Sequence, residues 1–509
     1  MTMRRLHEAA EVVETYSPAE EQFNRQRRTA GLILGPLVFF ALLALPMNIP
    51  VPAHRLAAVL GLMIVFWMTE ALPLAVTALL GPTLVVLLGV ANARTVFAPF
   101  ADPIIFLFIG SFMLAEAMFV HRLDRRLAFT ALASRWVGRS GLRLLVVYAA
   151  VAAFISMWMS NTATTAMLFP LGLAVLAELG RGRQNDRAFQ QYAMAMMLVT
   201  SFAASIGGIG TPVGTPPNLI GRRLLGELGD INISFASWMM FGVPIVIITM
   251  LFVVVWLLLP RARGIQLDEA ARRAVSDQRD TLGAVTVGER NVMIAFGITV
   301  LLWVVPGLIQ VFLDQNHPIV RQLNAVIPEA VAAIVGAVLL FVLPINWPAR
   351  RFTLSWEEAS RIDWGIILLF GGGLAMGQLA ESTGLSKALG QWVASQFPTV
   401  GEVGMTLVFT AVAVVVSEAA SNTASANIVV PMAIAVSVAA GIPPLAPGLG
   451  ATLGASMGFM MPISTPPNAI VYSSGYIPIW TMMRHGIVLD IFGYLVIVVT
   501  VLALARLVI

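Results

Sequence analysis

Long, unbroken apolar segments recur along this chain between short polar stretches, and residues 244–259 (PIVIITMLFVVVWLLL) are typical of them. A helical membrane crossing needs about 20 apolar residues. In lipid, backbone groups can be satisfied only in helices or in a closed barrel, and barrel strands would alternate apolar and polar residues. The pattern therefore predicts an all-α polytopic membrane protein. Its predicted crossings are 31–46, 56–72, 74–91, 103–120, 188–206, 236–259, 291–313, 325–343, 363–380, 445–460 and 486–508, eleven in all.

Two further apolar stretches, 142–179 and 402–439, are each interrupted by the tripeptide Ser-Asn-Thr. We interpret them as re-entrant hairpins, which enter the membrane and leave it on the same side. The distribution of arginine supports this, because cytoplasmic loops are enriched in Arg and Lys. Eleven crossings place the arginine-containing segments 1–29 and 261–290 together in the cytoplasm. Counting each hairpin as a further crossing would export segment 261–290.

The composition agrees with a membrane environment. Of 509 residues, 58% are hydrophobic and 11% are charged, whereas soluble domains contain about 25% charged residues. The net charge of +4 then reflects orientation in the membrane, and we expect no nucleic-acid partner. No HExxH or Walker A motif occurs, so we predict neither an enzyme nor an ATP-driven pump. We expect a multi-pass protein of the inner (cytoplasmic) membrane, with the N-terminus in the cytoplasm and the C-terminus outside.

Three pairs of motifs repeat along the chain in the same order. The segments that begin at Asp102 and Asp363 are similar, as are those that begin at Ser160 and Ser421, and both pairs are 261 positions apart (363 − 102 and 421 − 160). A Thr-Pro-Pro-Asn motif follows at 215–218 and 465–468. An odd number of crossings separates the copies, so the repeats are inverted, as is typical of secondary transporters. The predicted units are a cytoplasmic tail (1–29), repeat one (30–260), a cytoplasmic connector (261–290) and repeat two (291–509).

The two Ser-Asn-Thr motifs suit anion binding. Ser and Asn are strong helix N-cap residues, so the helix that follows each motif is expected to begin at the hairpin tip. Its free N–H groups and the positive end of its dipole would then face the protein centre, where they can hold an anion without a cationic side chain. One such motif would be read as an ordinary cap. Two copies at apolar depth favour a binding site, because irregular backbone at that depth lines cavities.

The two Thr-Pro-Pro-Asn motifs suit a small cation. Proline removes a backbone donor and breaks a helix, which leaves carbonyl oxygens unpaired upstream of Pro216 and Pro466. Carbonyl and hydroxyl oxygens are hard ligands. Asn218 and Asn468 are then expected either to cap the next half-helix or to bind back to the broken segment.

Paired Ser-Asn-Thr hairpins, paired Thr-Pro-Pro-Asn loops and the glycine-rich segments FIGSFMLAEA and FGGGLAMGQL resemble the divalent anion/sodium symporter family from about residue 30 to the end. The resemblance implies a homodimer in which each protomer has a scaffold domain and a transport domain that moves as an elevator. It also implies Na+ as the coupling ion. The substrate-binding residues that it implies are Ser160, Asn161, Thr162, Thr215, Pro216, Ser421, Asn422, Thr423, Thr465 and Pro466. The sodium ligands that it implies are Ser156, Ser160, Asn161, Gly214, Ser417, Ala420, Asn422 and Ser464.

The kind of coupling depends on the charge around these motifs. None of the segments SMWMSNTATT, VSEAASNTASAN, GTPVGTPPN and MPISTPPN contains Arg, Lys or His. This favours sodium-coupled symport of a C4-dicarboxylate such as succinate, malate or fumarate. A sodium-independent di- or tricarboxylate exchanger and a sulfate carrier of the same family remain alternatives. Glu418, close to the second tip, is either a functional acid or an ion-paired structural one.

The predicted orientation has a direct test, because the chain contains no cysteine. A single cysteine placed in the connector 261–290 should not react with a membrane-impermeant thiol reagent in intact cells, since the arginines of this segment favour the cytoplasm. It should react after the cells are permeabilised. Labelling of intact cells would contradict the predicted topology.

Overall fold

The structure is a computed structural model, and it describes residues 18–183, 185–313, 317–396 and 401–508. These residues are mainly helical. The helices are α1 (Pro18–Ala44), α2 (Val51–Thr69), α3 (Leu74–Leu87), α4 (Ala93–Phe97), α5 (Pro103–Val120), α6 (Leu123–Leu132), α7 (Gly141–Ser156), α8 (Asn161–Leu179), α9 (Arg187–Gly208), α10 (Pro216–Gly229), α11 (Phe235–Val253), α12 (Leu259–Ala262), α13 (Glu269–Asp280), α14 (Val287–Phe312), α15 (Pro318–Val326), α16 (Glu329–Val342), α17 (Trp356–Ala359), α18 (Trp364–Ser382), α19 (Leu385–Gln396), α20 (Glu402–Ala419), α21 (Asn422–Ala439), α22 (Leu445–Gly454), α23 (Pro466–Tyr472) and α24 (Ile479–Val508). A 3-10 turn (Ala98–Ala101) follows α4, and a π-helical turn (Val254–Leu258) joins α11 to α12. Strands β1 (Pro344–Asn346) and β2 (Arg351–Phe352) pair antiparallel between α16 and α17.

The predicted class of an all-helical, multi-pass membrane protein is confirmed. Within the described residues, ten helical stretches are long and apolar enough to cross a membrane. The first helix is longer than predicted, because α1 begins at Pro18 and so extends into the segment 1–29 that we assigned to a tail. Residues 18–29 contain good helix formers, and nothing interrupts them before the apolar segment. Residues 1–17 lie outside the described part of the chain.

The segment 445–460, predicted as one crossing, is not a continuous helix. It is helical only as α22, whose ten residues rise about 15 Å, half of the roughly 30 Å of a hydrocarbon core. The chain then runs without regular structure to α23 at Pro466. Gly454, Gly458 and Pro462 are poor helix residues, which explains why the helix ends there. The matching helix α9 is longer but breaks in the same way before α10.

Each of the two segments predicted as hairpins consists of two helices. Segment 142–179 forms α7 and α8, and segment 402–439 forms α20 and α21. Each pair of helices is broken at its Ser-Asn-Thr motif. Three of the four arms, α8, α20 and α21, are themselves long enough to cross a membrane. Helix length therefore does not distinguish re-entry from crossing, and re-entry stays a prediction.

The helices around the hairpins pack in the same way in both repeats. In repeat one, α7 and α8 pack against α9, and in repeat two, α20 and α21 pack against α22. The half-helices that follow the prolines pack across to the other repeat, α10 against α21 and α23 against α8. The two repeats therefore interlock around their hairpins and broken helices.

Several helix crossings depend on glycine. A Cβ atom at Gly207 in α9 would lie 2.2 Å from the carbonyl oxygen of Ala153 in α7. One at Gly372 in α18 would lie 2.2 Å from the carbonyl oxygen of Ala78 in α3. Without a hydrophobic driving force in lipid, membrane helices associate through such close backbone contacts.

The connector 261–290 is attached to the first repeat and contains the helix α13. The Ile265 carbonyl accepts a hydrogen bond of 3.0 Å from the Gly141 N–H at the start of α7, and the Leu267 N–H donates to the Arg139 carbonyl at 2.9 Å. At the other end, Arg126 of α6 forms an ion pair of 2.6 Å with Glu289. The connector therefore lies against α6 and the base of the first hairpin.

Ion pairs hold α10 against helices outside the hairpins. The Arg222 guanidinium lies 2.5 Å from a Glu329 carboxylate oxygen at the start of α16. Arg223 lies 2.5 Å from Asp102, the N-cap of α5, and 2.6 Å from Glu227 in its own helix. The contact of α10 with α5 and α16 is therefore charged, in contrast to the glycine crossings.

Gly207→Ala should lower the thermal unfolding midpoint of the purified protein, because the added methyl group would overlap the α7 backbone. Overpacking of this kind costs about 1–3 kcal/mol. Gly297→Ala is the matched control: Gly297 also lies in a helix, α14, but a Cβ there would meet no atom within 4 Å. That substitution should be neutral or stabilise by roughly 0.5–1 kcal/mol. Equal effects of the two variants would show that the α7–α9 contact is not tightly packed.

Candidate functional site

The first hairpin tip, residues 156–162, is closed by its own side chains. Helix α7 ends at the fully buried Ser156, whose hydroxyl donates to the Asn161 carboxamide oxygen at 2.8 Å. Ser160 is the N-cap of α8, and its hydroxyl oxygen accepts a hydrogen bond of 3.2 Å from the Ala163 N–H. Ser160 and Thr162 are exposed, whereas Asn161 is half-buried. The tip therefore presents polar groups outward and keeps the Ser156 hydroxyl inside.

The second tip, residues 417–423, repeats this arrangement. The Ser417 hydroxyl lies 2.8 Å from both the Asn422 carboxamide oxygen and the Ala455 carbonyl oxygen. Ser421 is the N-cap of α21 and accepts from the Ala424 N–H at 3.2 Å. Ser417 and Ala420 are buried, and Ser421, Asn422 and Thr423 are half-buried. The same local sequence has thus produced the same cap and the same serine–asparagine pair in both repeats.

The broken segments before the two proline motifs are stabilised by the asparagine of each motif. We call residues 208–215, which begin with the last residue of α9, the first loop and residues 455–465 the second loop. The Asn218 amide nitrogen donates to the carbonyls of Gly208 and Thr211, at 2.9 and 2.8 Å. The Asn468 amide nitrogen donates to those of Gly458 and Met461, at 2.9 and 3.0 Å. Both asparagines therefore bind back to the broken segment, which is one of the two roles that we expected for them.

Each tip approaches the backbone of its loop closely. A Cβ atom at Gly208 would lie only 2.4 Å from the Asn161 carboxamide oxygen, and one at Gly458 would lie 3.0 Å from that of Asn422. A Cβ at Gly214 would lie 2.5 Å from the Gly208 carbonyl oxygen and 3.0 Å from that of Met157. The first tip and its loop thus bring carbonyl, carboxamide and hydroxyl oxygens together, and these are the ligand types that suit a small hard cation.

The predicted residues fall into two groups by exposure. The residues predicted to bind sodium alone are buried, namely Ser156, Gly214, Ser417, Ala420 and Ser464. Those predicted to bind both sodium and substrate, Ser160, Asn161 and Asn422, are exposed or half-buried. Among the predicted substrate ligands, Ser160, Thr162 and Pro466 are exposed, Asn161, Pro216, Ser421, Asn422 and Thr423 are half-buried, and Thr215 and Thr465 are buried. Ser156, Asn161 and Gly214 lie together at the first tip. Ser417, Asn422 and Thr465 lie together around Gly458 at the second.

Glu418 is bound mainly by backbone amides. Its carboxylate accepts hydrogen bonds from the N–H groups of Phe459, Met460 and Met461, at 2.6, 2.8 and 3.3 Å. The Ser464 hydroxyl donates to the same carboxylate at 2.6 Å. No ion pair of Glu418 occurs within the described chain. Glu418 therefore attaches the second tip to the second loop, and Ser464 reaches the tip through this carboxylate.

A second acid, Asp490 of α24, lies beside Glu418. Its side chain is buried, close to both the Glu418 carboxyl group and the Phe459 backbone N–H. Two carboxyl groups at this depth repel each other unless a positive charge or a proton compensates them. The sequence did not single out Asp490, because it is one acid in the middle of a long apolar helix.

The two repeats are connected through Ser201 of α9, whose hydroxyl donates to the Asn468 carboxamide oxygen in α23. The corresponding oxygen of Asn218 is buried without a partner in the described structure. The position that corresponds to Ser201 in repeat two, 250 residues later (451 − 201), is Ala451. Repeat one therefore has a serine hydroxyl at this position, which pairs with Asn468, and repeat two has no hydroxyl there to pair with Asn218.

Gly208 and Gly458 are parts of the site that the sequence analysis missed. They are spaced like the two Thr-Pro-Pro-Asn motifs, 250 positions apart (458 − 208). This spacing was a signal that could have identified them. Within the described residues, no group of three or more His, Cys, Asp or Glu side chains could hold a metal ion.

Comparison with known proteins gives a consistent result. The family described as "Sodium:sulfate symporter transmembrane region" matches residues 27–509. Proteins named sodium-dependent dicarboxylate transporter SdcS, from Staphylococcus aureus strains USA300 and bovine RF122 / ET3-1, are 32% identical to this chain over 480 residues. These alignments cover 92% of this chain and 90% of each relative.

Two solved transporter structures are similar in fold. The YdaH transporter of Alcanivorax borkumensis has a TM-score of 0.52 at 16% identity, with 80% of this chain and 85% of that chain covered. MtrF of Neisseria gonorrhoeae has a TM-score of 0.53 at 12% identity, with 93% and 94% covered. At these identities the likeness concerns the fold alone, which is that of a helical membrane transporter.

Ser201→Ala should lower the thermal midpoint, because it leaves the buried Asn468 oxygen without a donor, at a cost of about 1 kcal/mol. Ala451→Ser should raise it, since the added hydroxyl can supply the donor that Asn218 lacks in the matching position. Both can be measured on the purified protein in one detergent. A lower midpoint for Ala451→Ser would show that the repeats are not equivalent at this position.

Proposed function

Because the chain belongs to the sodium:sulfate symporter family, whose members are membrane transporters and not enzymes, we propose that it carries C4-dicarboxylate dianions, such as succinate, malate and fumarate, together with sodium. The main support is the pair of matched tips, each with a helix N-terminus and buried neutral oxygens beside it. The names of the 32% identical relatives point to the same substrate class and the same ion.

The substrate would lie between the exposed and half-buried groups of the two tips. Ser160, Asn161 and Thr162 would hold one carboxylate, and Ser421, Asn422 and Thr423 the other. Thr215 and Pro216 would line the pocket from the first loop, and Thr465 and Pro466 from the second. Hydroxyls, carboxamides and the N–H groups of α8 and α21 are all donors, and donors are what a carboxylate requires.

Sodium would occupy the buried side of each tip. At the first, the ligands would be oxygens of Ser156, Ser160, Asn161 and the backbone around Gly214. At the second, they would be oxygens of Ser417, Ala420, Asn422 and the backbone around Ser464. In the described structure the Ser156 and Ser417 hydroxyls each donate to an asparagine oxygen. Rotation of each hydroxyl hydrogen would free both oxygens for a cation.

Charge explains why sodium should be required. A helix N-terminus contributes about half an elementary charge, so two tips supply roughly one positive charge against the two negative charges of the substrate. No Arg, Lys or His occurs in the four motif segments. An uncompensated charge is costly to bury. Sodium at one or both tips would supply the missing positive charge.

We propose that the protein is a homodimer and that each protomer transports its substrate by an elevator movement. Its N-terminus would lie in the cytoplasm and its C-terminus outside. The hairpins and broken helices would form the transport domain. The ion pairs of Arg222 with Glu329 and of Arg223 with Asp102 support a contact at which α10 could separate from α16 and α5. Water can replace the partners of these charged groups when the contact opens. The glycine crossing of α9 with α7 lies within the proposed transport domain and would move as one body.

A sulfate carrier is the second candidate, since the description of the matching family names sulfate. Sulfate is also a dianion, and the same tips could bind it. A sodium-independent di- or tricarboxylate exchanger is less consistent with the neutral motif segments. Uptake into proteoliposomes would separate symport from exchange, because a symporter needs a sodium gradient and an exchanger needs only internal substrate. The same assay with succinate or with sulfate as the substrate would separate the dicarboxylate symporter from the sulfate carrier.

Succinate should bind the purified protein more weakly when sodium is replaced by choline at constant ionic strength. Coupling between two ligands is typically 5–150-fold, so we expect a loss of about tenfold or more, measured by calorimetry. Linkage requires that succinate raise the affinity for sodium by the same factor. Equal succinate affinity in both salts would contradict sodium coupling, and binding of sulfate without succinate would favour the second candidate.

Variants of the two tips test the same proposal by transport. Asn161→Ala and Asn422→Ala should each abolish sodium-driven uptake, because each asparagine would serve both the substrate and sodium. Asn346→Ala, at the exposed end of β1, removes the same side chain without touching either tip and should transport normally. Normal transport by either tip variant would exclude the shared site.

A further inference from the structure

A cavity of about 340 Å³ lies away from the transport site, between the turn that joins α6 to α7 and the beginning of α13. Its size is within the range of about 300–1,000 Å³ that is typical of small-ligand pockets. The arginine distribution places this face of the protein in the cytoplasm. The cavity thus lies where the connector meets the base of the first hairpin, and nothing in the proposed transport cycle uses it.

The polar side of the cavity is basic. Arg135, Arg272 and Arg273 line it, together with the hydroxyls of Ser134 and Ser276. The one acid in the lining is Glu269, which lies 3.5 Å from Arg273 in an exposed pair. Arg135 and Arg272 form no ion pair within the described residues. Three guanidinium groups against one carboxylate favour an anion with several acceptor oxygens.

Apolar residues also line the cavity. Leu132, Val137, Leu144 and Leu267, all of which are buried, form what we call its apolar wall. A small inorganic anion would gain nothing from such a wall. The combination of arginines and apolar side chains in one lining suits an amphipathic ligand.

Residues next to the cavity are typical of the lipid–water interface. Trp136 follows Arg135 directly and is 56% exposed, and Leu127 on α6 is 39% exposed. The Arg143 guanidinium lies 5.7 Å from the centre of the Trp136 ring. Tryptophan is enriched at the level of the lipid headgroups, and basic pockets on the cytoplasmic side of membrane proteins bind lipid headgroups. The mouth of the cavity is therefore at the depth where a phospholipid could enter.

We propose that this cavity binds the phosphate of an anionic phospholipid, with Arg135 and Arg272 as its principal ligands. The lipid tail would leave past the apolar wall and Trp136. One lipid would then contact both the α6–α7 turn and α13. Two backbone hydrogen bonds already attach the connector at this place, from Gly141 to Ile265 and from Leu267 to Arg139. The phosphate would add charge-assisted bonds to that attachment and stabilise the connector against the first hairpin.

The test uses the full-length protein in a neutral detergent. Phosphatidylglycerol should raise the thermal midpoint by about 3 °C or more and should appear as a bound lipid in native mass spectrometry. Phosphatidylcholine with the same acyl chains should do neither, because it has no net charge. Inorganic phosphate is the third arm. An increase with phosphate as large as that with phosphatidylglycerol would overturn the lipid assignment, since the apolar wall would then be unused.

Arg135→Gln combined with Arg272→Gln should keep the midpoint in neutral detergent but lose the increase with phosphatidylglycerol. The matched control is Arg290→Gln combined with Arg350→Gln, which removes two exposed arginines from the same predicted face outside the cavity. It should retain the full increase. Equal responses of the two double variants would overturn the proposal, as would a wild-type protein that phosphatidylglycerol does not stabilise. Neither result bears on sodium-coupled transport, which these measurements do not involve.

Discussion

The structure depends on how a helix can be broken inside lipid, where no water is available to the free backbone groups. Each unsatisfied group there costs several kcal/mol. The asparagines of the two proline motifs meet this constraint, because each donates from one amide nitrogen to two loop carbonyls. The proline that breaks the helix and the asparagine that repairs it are two residues apart. The motif is therefore a self-contained way to expose backbone at membrane depth.

The chemistry of the site follows from the same constraint. A loop held by carboxamides and glycines offers oxygens and N–H groups, and neither loop contains Arg, Lys or His. Gly208 and Gly458 leave room for the asparagine of each tip to reach the loop backbone. A site without a cationic side chain cannot by itself balance a dianion, so it makes binding depend on mobile cations. Such dependence is useful to a carrier, because it links the substrate to an ion gradient.

The helix pairs of the two hairpin segments could be predicted from the sequence almost to the residue, and the break within each pair is set by a local serine cap. Segments 142–179 and 402–439 differ by at most one residue from the helix pairs Gly141–Leu179 and Glu402–Ala439. The contact of Ser201 with Asn468 joins residues 267 positions apart and left no local signal. The end of α22 at Gly454 was missed for a different reason, since the apolar run continues beyond the glycine that ends the helix. Whether the hairpins re-enter the membrane depends on their surroundings and not on their own helices.

The two tips differ although their motifs are the same. At the position of Glu418 in repeat two, repeat one has Met157 (418 − 261). The second tip is therefore attached to its loop by four hydrogen bonds to one carboxyl group, whereas the Met157 carbonyl accepts one from Thr211. The attachment of tip to loop is thus stronger in repeat two, so the inverted repeat supplies the symmetry of the binding groups but not of the forces that hold them in place.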